Sequence, residues 1–421
     1  MYISIGGTDY TKIERLSFAP QTDITGSALP INTFSCYLVT EDSIDAGVTA
    51  RLYDDLNNLW AAYWLVLAED AGGGRVEIRA ESYLTLLDRV TLPPVMYSGK
   101  SVPTLIGELF GSLGYSLDSS FSSATVTGFC PEQTARQRLQ WVLFVIGAYA
   151  KTYFNDQVEI LPIDSTGTMI PPGKTYWSPS RSFDDYVTAV QIRAYNYTQG
   201  TPAATDAWVT DGTNYYIQTE QVFTLSNPDA PATAPENVIQ VDGLTLIHTG
   251  NVSDILTLLS TYYFKRISVD LEVINNGEYL PGDQVTAYGT SDSLVTGYIS
   301  SAVFTFGKQA KSSIHLVQTD VTEGGSLIIK YMYGNQQIGI QSYLFPVGYQ
   351  YQIENPYIDL TTGTRRRIYR PQVKYAEGTV TSEGITDEEQ YDIALEYAAS
   401  ILRIYSVDQI TQSEEGAVTI G

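Results

Sequence analysis

The stretch that decides the fold runs from Ile267 to Asp320, ISVDLEVINNGEYLPGDQVTAYGTSDSLVTGYISSAVFTFGKQAKSSIHLVQTD. It opens in strict alternation, with Ile267, Val269, Leu271 and Val273 on one parity and Ser268, Asp270, Glu272 and Ile274 on the other. Period-two patterning with one apolar face predicts half-buried antiparallel strands. A turn at Leu280-Pro281-Gly282-Asp283 follows, and three more short alternating runs complete the module. Just upstream, Ile255, Leu256, Leu258, Leu259, Tyr262 and Tyr263 recur at helical spacing.

Outward from this module, residues 1–92 also read as strands. Thr33–Val39 is apolar enough to be buried on both faces. Val48–Tyr53 and Tyr63–Leu67 are further strands, Gly72-Gly73-Gly74 is a hairpin turn, and Arg75–Ala80 returns in clean alternation. A small barrel or curled sheet is expected here. Pro93-Pro94 ends it, and helical spacing governs much of residues 93–172. Ser101 is placed to cap a helix carrying Val102, Leu105, Ile106, Leu109, Phe110 and Leu113, with Gly114 as its stop. Thr134-Ala135-Arg136-Gln137 fits a capping box, in which hydroxyl and amide satisfy each other's orphan backbone donors. Leu139, Val142, Leu143, Ile146 and Ala150 then share a face, and two strand-like pieces follow at Thr152–Phe154 and Val158–Pro162.

Pro171-Pro172-Gly173 marks the next boundary, and residues 173–320 read as a second barrel. Phe183–Tyr195 is expected as its first strand, with polar loops at Thr198–Asp206 and Asn227–Pro235. Residues 321–421 form a C-terminal extension of β-structure plus a helix. Ser326–Tyr333 and Ile338–Pro346 read as strands, and Asn355-Pro356 as the start of a turn. Arg365, Arg366, Arg367 and Arg370 form the chain's one basic cluster. A capping box at Thr386-Asp387-Glu388-Glu389 opens a helix that runs to Tyr405.

Bulk composition limits the function classes. A chain of 421 residues with 43% apolar content suits several self-sufficient domains. Two cysteines, Cys36 and Cys130, give no disulfide framework and read as buried free thiols suited to a reducing cytoplasm. The N-terminus has no basic region followed by an apolar core, so no signal peptide is expected. The longest apolar run, Trp141–Ala150, is about half a membrane span, so no membrane insertion is expected. With 47 acidic against 24 basic residues the formal charge is -23, which disfavours nucleic-acid binding. The 32 tyrosines suit strand packing and subunit contacts, and secondarily a sugar-binding surface.

Catalytic constellations are missing. The two histidines, His248 and His315, stand in strand-like runs, and there is no HExxH, CxxC or GxSxG. Gly99-Lys100-Ser101 and Gly173-Lys174-Thr175 lack the earlier glycine of a phosphate loop, which is replaced by Pro94 and Thr168. No catalytic, metal-binding or cofactor-binding residue is assigned, and the chain is expected not to be an enzyme. The arginine cluster reads either as a solvated loop with local ion pairs or as a docking point for an acidic neighbour.

The order of helix, strand-rich module and LPGDQV turn resembles the last barrel of phage tail or baseplate hub proteins. The 93–172 region similarly resembles the small α/β insert that these hubs carry between barrels. The resemblance covers residues 1–320 and implies a mainly β fold with two tail-tube-like β-barrel domains and an α/β insert. It further implies a homotrimeric ring that adapts a sixfold tail tube to a threefold spike or fibre, with DNA only in transit. Expected partners are further copies of the chain, a tail tube or distal tail protein, and a central spike or tip fibre. The place implied is the tail tip of a virion assembled in the bacterial host cytoplasm. Ile267, Val269, Leu271 and Val273 are assigned to the ring wall, and Arg365, Arg366, Arg367 and Arg370 to partner contact. The alternatives are a receptor- or carbohydrate-binding tail protein and a tail-associated cell-wall hydrolase.

Overall fold

A computed structural model describes residues 1–163, 167–171, 174–175, 180–288, 294–306 and 310–322, together with strands at 341–358, 365–380, 410–412 and 418–420. The chain divides into two compact units, 1–287 with 295–321, and 288–294 with 322–421.

In the first unit seven strands come first: β1 (Tyr2–Ile5), β2 (Thr8–Tyr10), β3 (Ile13–Phe18), β4 (Thr33–Val39), β5 (Thr49–Tyr53), β6 (Leu59–Asp70) and β7 (Arg75–Glu81). Phe34, Cys36 and Leu38 of β4 are buried, but its other parity is partly or fully exposed. The expectation of burial on both faces therefore fails, because Ser35 and Tyr37 face the solvent side of a single-layered wall.

The insert follows, with α1 (Leu84–Leu87), β8 (Thr91–Leu92), β9 (Val95–Ser101), α2 (Val102–Phe110), β10 (Tyr115–Leu117), β11 (Thr125–Cys130), β12 (Gln133–Thr134), α3 (Ala135–Ile146), β13 (Ala148–Lys151) and β14 (Val158–Pro162). Thr134 and Gln137 close the capping box at the start of α3. Gly147 ends that helix in the left-handed conformation, so Ala150 belongs to β13 and not to a helix face. The Thr152–Phe154 strand is likewise displaced to Ala148–Lys151. Helix α2 stops at Gly111, φ 57°, one turn before the expected Gly114, and the Ser101 side chain makes no capping bond.

The remaining strands are β15 (Thr168–Met169), β16 (Ser180–Phe183), β17 (Ala189–Gln199), β18 (Trp208–Thr210), β19 (Tyr215–Ser226), β20 (Val238–Val241), then α4 (Val252–Tyr263), β21 (Ile267–Ile274), β22 (Gln284–Tyr288), β23 (Leu294–Thr305) and β24 (Lys311–Thr322). The strand expected over Phe183–Tyr195 is thus two strands in different sheets. Asp184 and Asp185 fall between them, and the Arg266 guanidinium sits 4.1 Å from the Tyr186 ring centre at the break. Strands β17–β20 form their own sheet in the order β18-β19-β17-β20. Val190, Ile192 and Ala194 from this sheet pack with Val252, Ile255 and Leu259 of α4.

The largest sheet of this unit is ordered β16-β21-β24-β23-β3-β4-β7-β6-β5-β1-β2, with β22 and β15 branching from β23. Its two halves come from opposite ends of the unit and meet at a narrow seam. Phe18 of β3 pairs with Phe304 of β23. The Thr22 amide donates to the Ser300 carbonyl at 2.8 Å, and the Ala302 amide to the Pro20 carbonyl at 3.0 Å. Aromatic rings fill the space behind: Phe18 stacks on Phe304 at 5.7 Å, and Trp60 meets Phe304 edge-on at 4.9 Å. Trp60 also lies 4.7 Å from Phe154 and 5.0 Å from Phe306. One continuous core therefore runs beneath both halves.

The Leu280-Pro281-Gly282-Asp283 turn is where the insert grips this sheet. Asn275, fully buried, accepts from the amides of Gly277, Glu278 and Tyr279 and donates to the Tyr279 carbonyl at 2.6 Å. Asp283 accepts from the Leu280 amide at 2.8 Å. The Tyr153 hydroxyl donates to the Pro281 carbonyl. Gly282 has φ +92°, and a Cβ there would lie 2.5 Å from the Tyr149 ring. Glycine is required for both the backbone conformation and the close approach.

In the second unit, β25 (Gln341–Ile358) pairs antiparallel with β26 (Arg365–Val380), and β27 (Ile410–Gln412) with β28 (Val418–Ile420). The turn expected at Asn355-Pro356 is instead a register shift within β25, between Glu354 and Tyr357. Proline has no amide to give to a ladder, and a bulge leaves its residue unpaired. The Ser326–Tyr333 strand and the Thr386–Tyr405 helix lie outside the described residues.

Two substitutions test this account. Trp60→Ala should lower the unfolding free energy by about 3–5 kcal/mol in a urea titration, the range for deleting a large buried aromatic. Gly282→Ala should lower it by about 1–3 kcal/mol, as for other strained backbone positions. Its effect should shrink in a Tyr149→Ala background, where the ring that the new methyl meets is gone.

Candidate subunit interface

The main sheet is open. Its path ends on β2 at one side and β16 at the other, and among the described residues neither has a partner on its outer edge. Strand β2 is held by β1 through Ile3–Tyr10, Ser4–Asp9 and Ile5–Thr8. Strand β16 is held by β21 through Ser180–Asp270 to Phe183–Ile267. Both edges are short, three and four residues, which limits indiscriminate strand pairing. Phe183, at the end of β16, is 63% exposed.

The expected wall strand is β21, and it is an interior strand between β16 and β24. Val269, Leu271 and Val273 are buried in the shared core, and Ile267 packs partly against it. The four apolar residues therefore hold the sheet together from within. Sequence reading missed β16, the actual edge. Its residues Ser180-Arg181-Ser182-Phe183 carry no apolar alternation, and Phe183 is their one large apolar side chain.

Opposite the core, the sheet presents charge. On β21, Asp270 and Glu272 are exposed, and Asp270 lies 2.7 Å from Nδ1 of His315 on β24. On the other half, Glu69 of β6 stands directly opposite Glu77 of β7. Arg75 lies 2.9 Å from Glu14, and its hydrogen bond holds the Glu14 carboxyl below the usual range. Arg79 is paired with Glu81. Arg75 and Arg79 on this half are thus each matched by a carboxylate.

Of the arginine cluster, the strand alone is described. Arg365 stands opposite Ile358, Arg366 opposite Tyr357, and Arg370 opposite Gln352 in the β25–β26 ladder; the side chains lie outside the described residues. This places the cluster in a strand and not in a loop.

The phosphate-loop fragments are structural. Lys100 lies in the β9–β11 ladder and pairs with Glu108 at 2.6 Å, and Lys174 pairs with Glu278. Nδ1 of His248 accepts from the Gly250 amide at 3.0 Å. Cys36 and Cys130 are free and buried, and burial pushes both thiols up to about 12. Among the described residues, no group of three His, Cys, Asp or Glu side chains is placed to hold a metal, and no helix is long and apolar enough to cross a membrane.

No family model matches the sequence, and no curated protein matches it. Solved structures do. The tail protein from Neisseria meningitidis MC58 aligns with a TM-score of 0.53 at 10% identity, over 75% of this chain and 95% of that one. The 43 kDa tail protein of prophage MuSo2 from Shewanella oneidensis aligns with a TM-score of 0.51 at 10% identity, over 75% of this chain and 97% of that one. At such identity the likeness is one of fold. The chain is a mainly β protein with an α/β insert, built on the fold of these tail proteins.

Proposed function

We propose that this chain is a structural component of a phage tail tip or baseplate, a hub that closes into a homotrimeric ring. The observation that carries this reading is the sheet path that, among the described residues, ends on an unpartnered strand at each side. Two different edges on one protomer permit head-to-tail pairing, β2 of one copy against β16 of the next. Heterologous contacts of that kind generate closed rings when the rotation per copy fits. Each copy contributes two strand groups, β1–β7 and β16 with β21–β24, fused at the Phe18–Phe304 seam. Three copies then offer six such groups to a sixfold tail tube, and a threefold frame to a spike or fibre.

The acidic solvent face supports a channel reading. Asp270, Glu272, Glu69 and Glu77 turned toward a lumen would repel DNA phosphates and let the genome slide past. In this reading the Arg365, Arg366, Arg367 and Arg370 cluster docks on an acidic neighbour in the tip, and the protein resides in the virion tail.

A second reading, a carbohydrate- or receptor-binding tail protein, is favoured by one feature. Trp208 and Tyr215 are each about half exposed, with ring centres 5.2 Å apart. Their planes cross at 73°, so they form a corner and not the flat platform on which a sugar ring stacks. The hub reading is preferred on that geometry.

Cross-linking distinguishes a ring from other assemblies. A chain carrying both Asp9→Cys and Ser182→Cys, treated with a short bismaleimide, should give a ladder that stops at three joined chains. Either single variant should stay largely uncoupled, because like edges do not meet in a head-to-tail ring. A ladder that extends past three, or no ladder at any protein concentration, would overturn the trimeric hub.

A further inference from the structure

A third strand edge lies outside the main sheet and is longer than either of the two above. Strand β19 pairs with β17 along eleven residues without a register shift. On its other side β18 covers only Tyr215, Tyr216 and Ile217, and the Gln218 amide donates to the Ala207 carbonyl. From there to Ser226, among the described residues, no strand takes the outer edge. Residues Thr219 to Ser226 are exposed except for Phe223, with Val222 at 48% and Leu225 at 39%.

Folded proteins blunt such edges with lysine, proline, bulges or brevity. The stretch beyond Gln218, Thr219-Glu220-Gln221-Val222-Phe223-Thr224-Leu225-Ser226, has none of these. Its single charge, Glu220, lies 2.7 Å from Arg193, which also contacts Asp242 at 3.0 Å. In a chain of net charge -23 this edge carries one charge in eight residues.

We propose that the partner is the same strand of a second copy, paired antiparallel about a two-fold axis at Val222. Centred there, the seven residues from Thr219 to Leu225 align with themselves. Val222 then faces Val222, Gln221 faces Phe223, Glu220 faces Thr224, and Thr219 faces Leu225. No like charges oppose each other. A shift that centred the axis on Glu220 would set carboxylate against carboxylate and leave apolar residues unpaired. A two-fold contact uses the same patch on both copies and closes at two, so it protects the edge without open-ended growth. This contact is separate from the head-to-tail edges of the hub reading and does not depend on it. It joins two free chains, or two rings where rings form.

The test uses the full chain. Residues directly opposite in an antiparallel pair have Cα atoms about 4.5–5.5 Å apart, within disulfide reach. The native thiols Cys36 and Cys130 are buried, so an introduced cysteine is the reactive one. Val222→Cys under mild oxidation should run as a covalent dimer on a non-reducing gel. Thr219→Cys should not, since the two copies of that position lie six residues apart along the pair, about 20 Å. Val222→Lys places two ammonium groups against each other at an exposed position. It should halve the mass measured by light scattering, whether that begins at two chains or at six, whereas Leu56→Lys, on the exposed loop between β5 and β6, should leave it unchanged. Absence of the Val222→Cys dimer at high protein concentration, or equal cross-linking from Thr219→Cys, would overturn the proposal. A mass that Val222→Lys does not change would also overturn it. The hub reading fails separately, by loss of the three-chain ladder.

Discussion

The structure depends on a short seam of two antiparallel strands, β3 and β23, at which the ends of the first unit meet. Few backbone hydrogen bonds cross it, and a ladder that short is marginal by itself. What secures it is the aromatic cluster behind it. Phe18, Trp60, Phe154, Phe304 and Phe306 come from both halves of the sheet and from the insert, with ring centres between 4.7 and 6.3 Å apart. Aromatic pairs in such geometries contribute roughly 0.5–1.5 kcal/mol each beyond the area they bury. The cluster thereby converts two strand groups into one wall over one core.

The insert then braces that sheet at one turn. Tyr149, Tyr153 and Phe154 follow α3 and reach the loop between β21 and β22, which Asn275 organises by satisfying three consecutive amides. A loop that carries buried polar backbone must find internal partners, and one asparagine supplies them. The contact between the insert and the sheet is consequently packed and hydrogen-bonded. Rigidity there suits a protein whose proposed work is to hold subunits at a fixed angle and transmit symmetry.

Edges express the same logic outward. The path of the main sheet ends on two short strands, and in the separate four-stranded sheet one side of β19 beyond β18 has no partner strand among the described residues. Short edges pair only when the surrounding surfaces also fit, which favours assembly at a defined site. A long edge with a single charge pairs more readily, and a contact that closes on itself protects it. The negative net charge of the chain works in the same direction, since like charge on two copies opposes indiscriminate encounters.

Much of the local structure was legible in the sequence because it follows from neighbours along the chain. The alternation from Ile267 to Val273, the capping box at Thr134 and Gln137, and the glycine turn between β6 and β7 each depend on a few adjacent residues. Their limits were less legible: α2 ends at Gly111 and not at Gly114, and the Phe183–Tyr195 run breaks at two aspartates. Tertiary structure alone decided the β3–β23 seam, the burial of the Leu280–Asp283 turn under Tyr149 and Tyr153, and the separation of β17–β20 into their own sheet. It also decided that β16, with the unremarkable sequence Ser-Arg-Ser-Phe, is the sheet edge while the apolar β21 lies inside. Strand neighbours are chosen by contacts between residues hundreds of positions apart, such as Phe18 and Phe304. Period-two patterning tells which face a residue takes, and is silent about which strand will lie beside it.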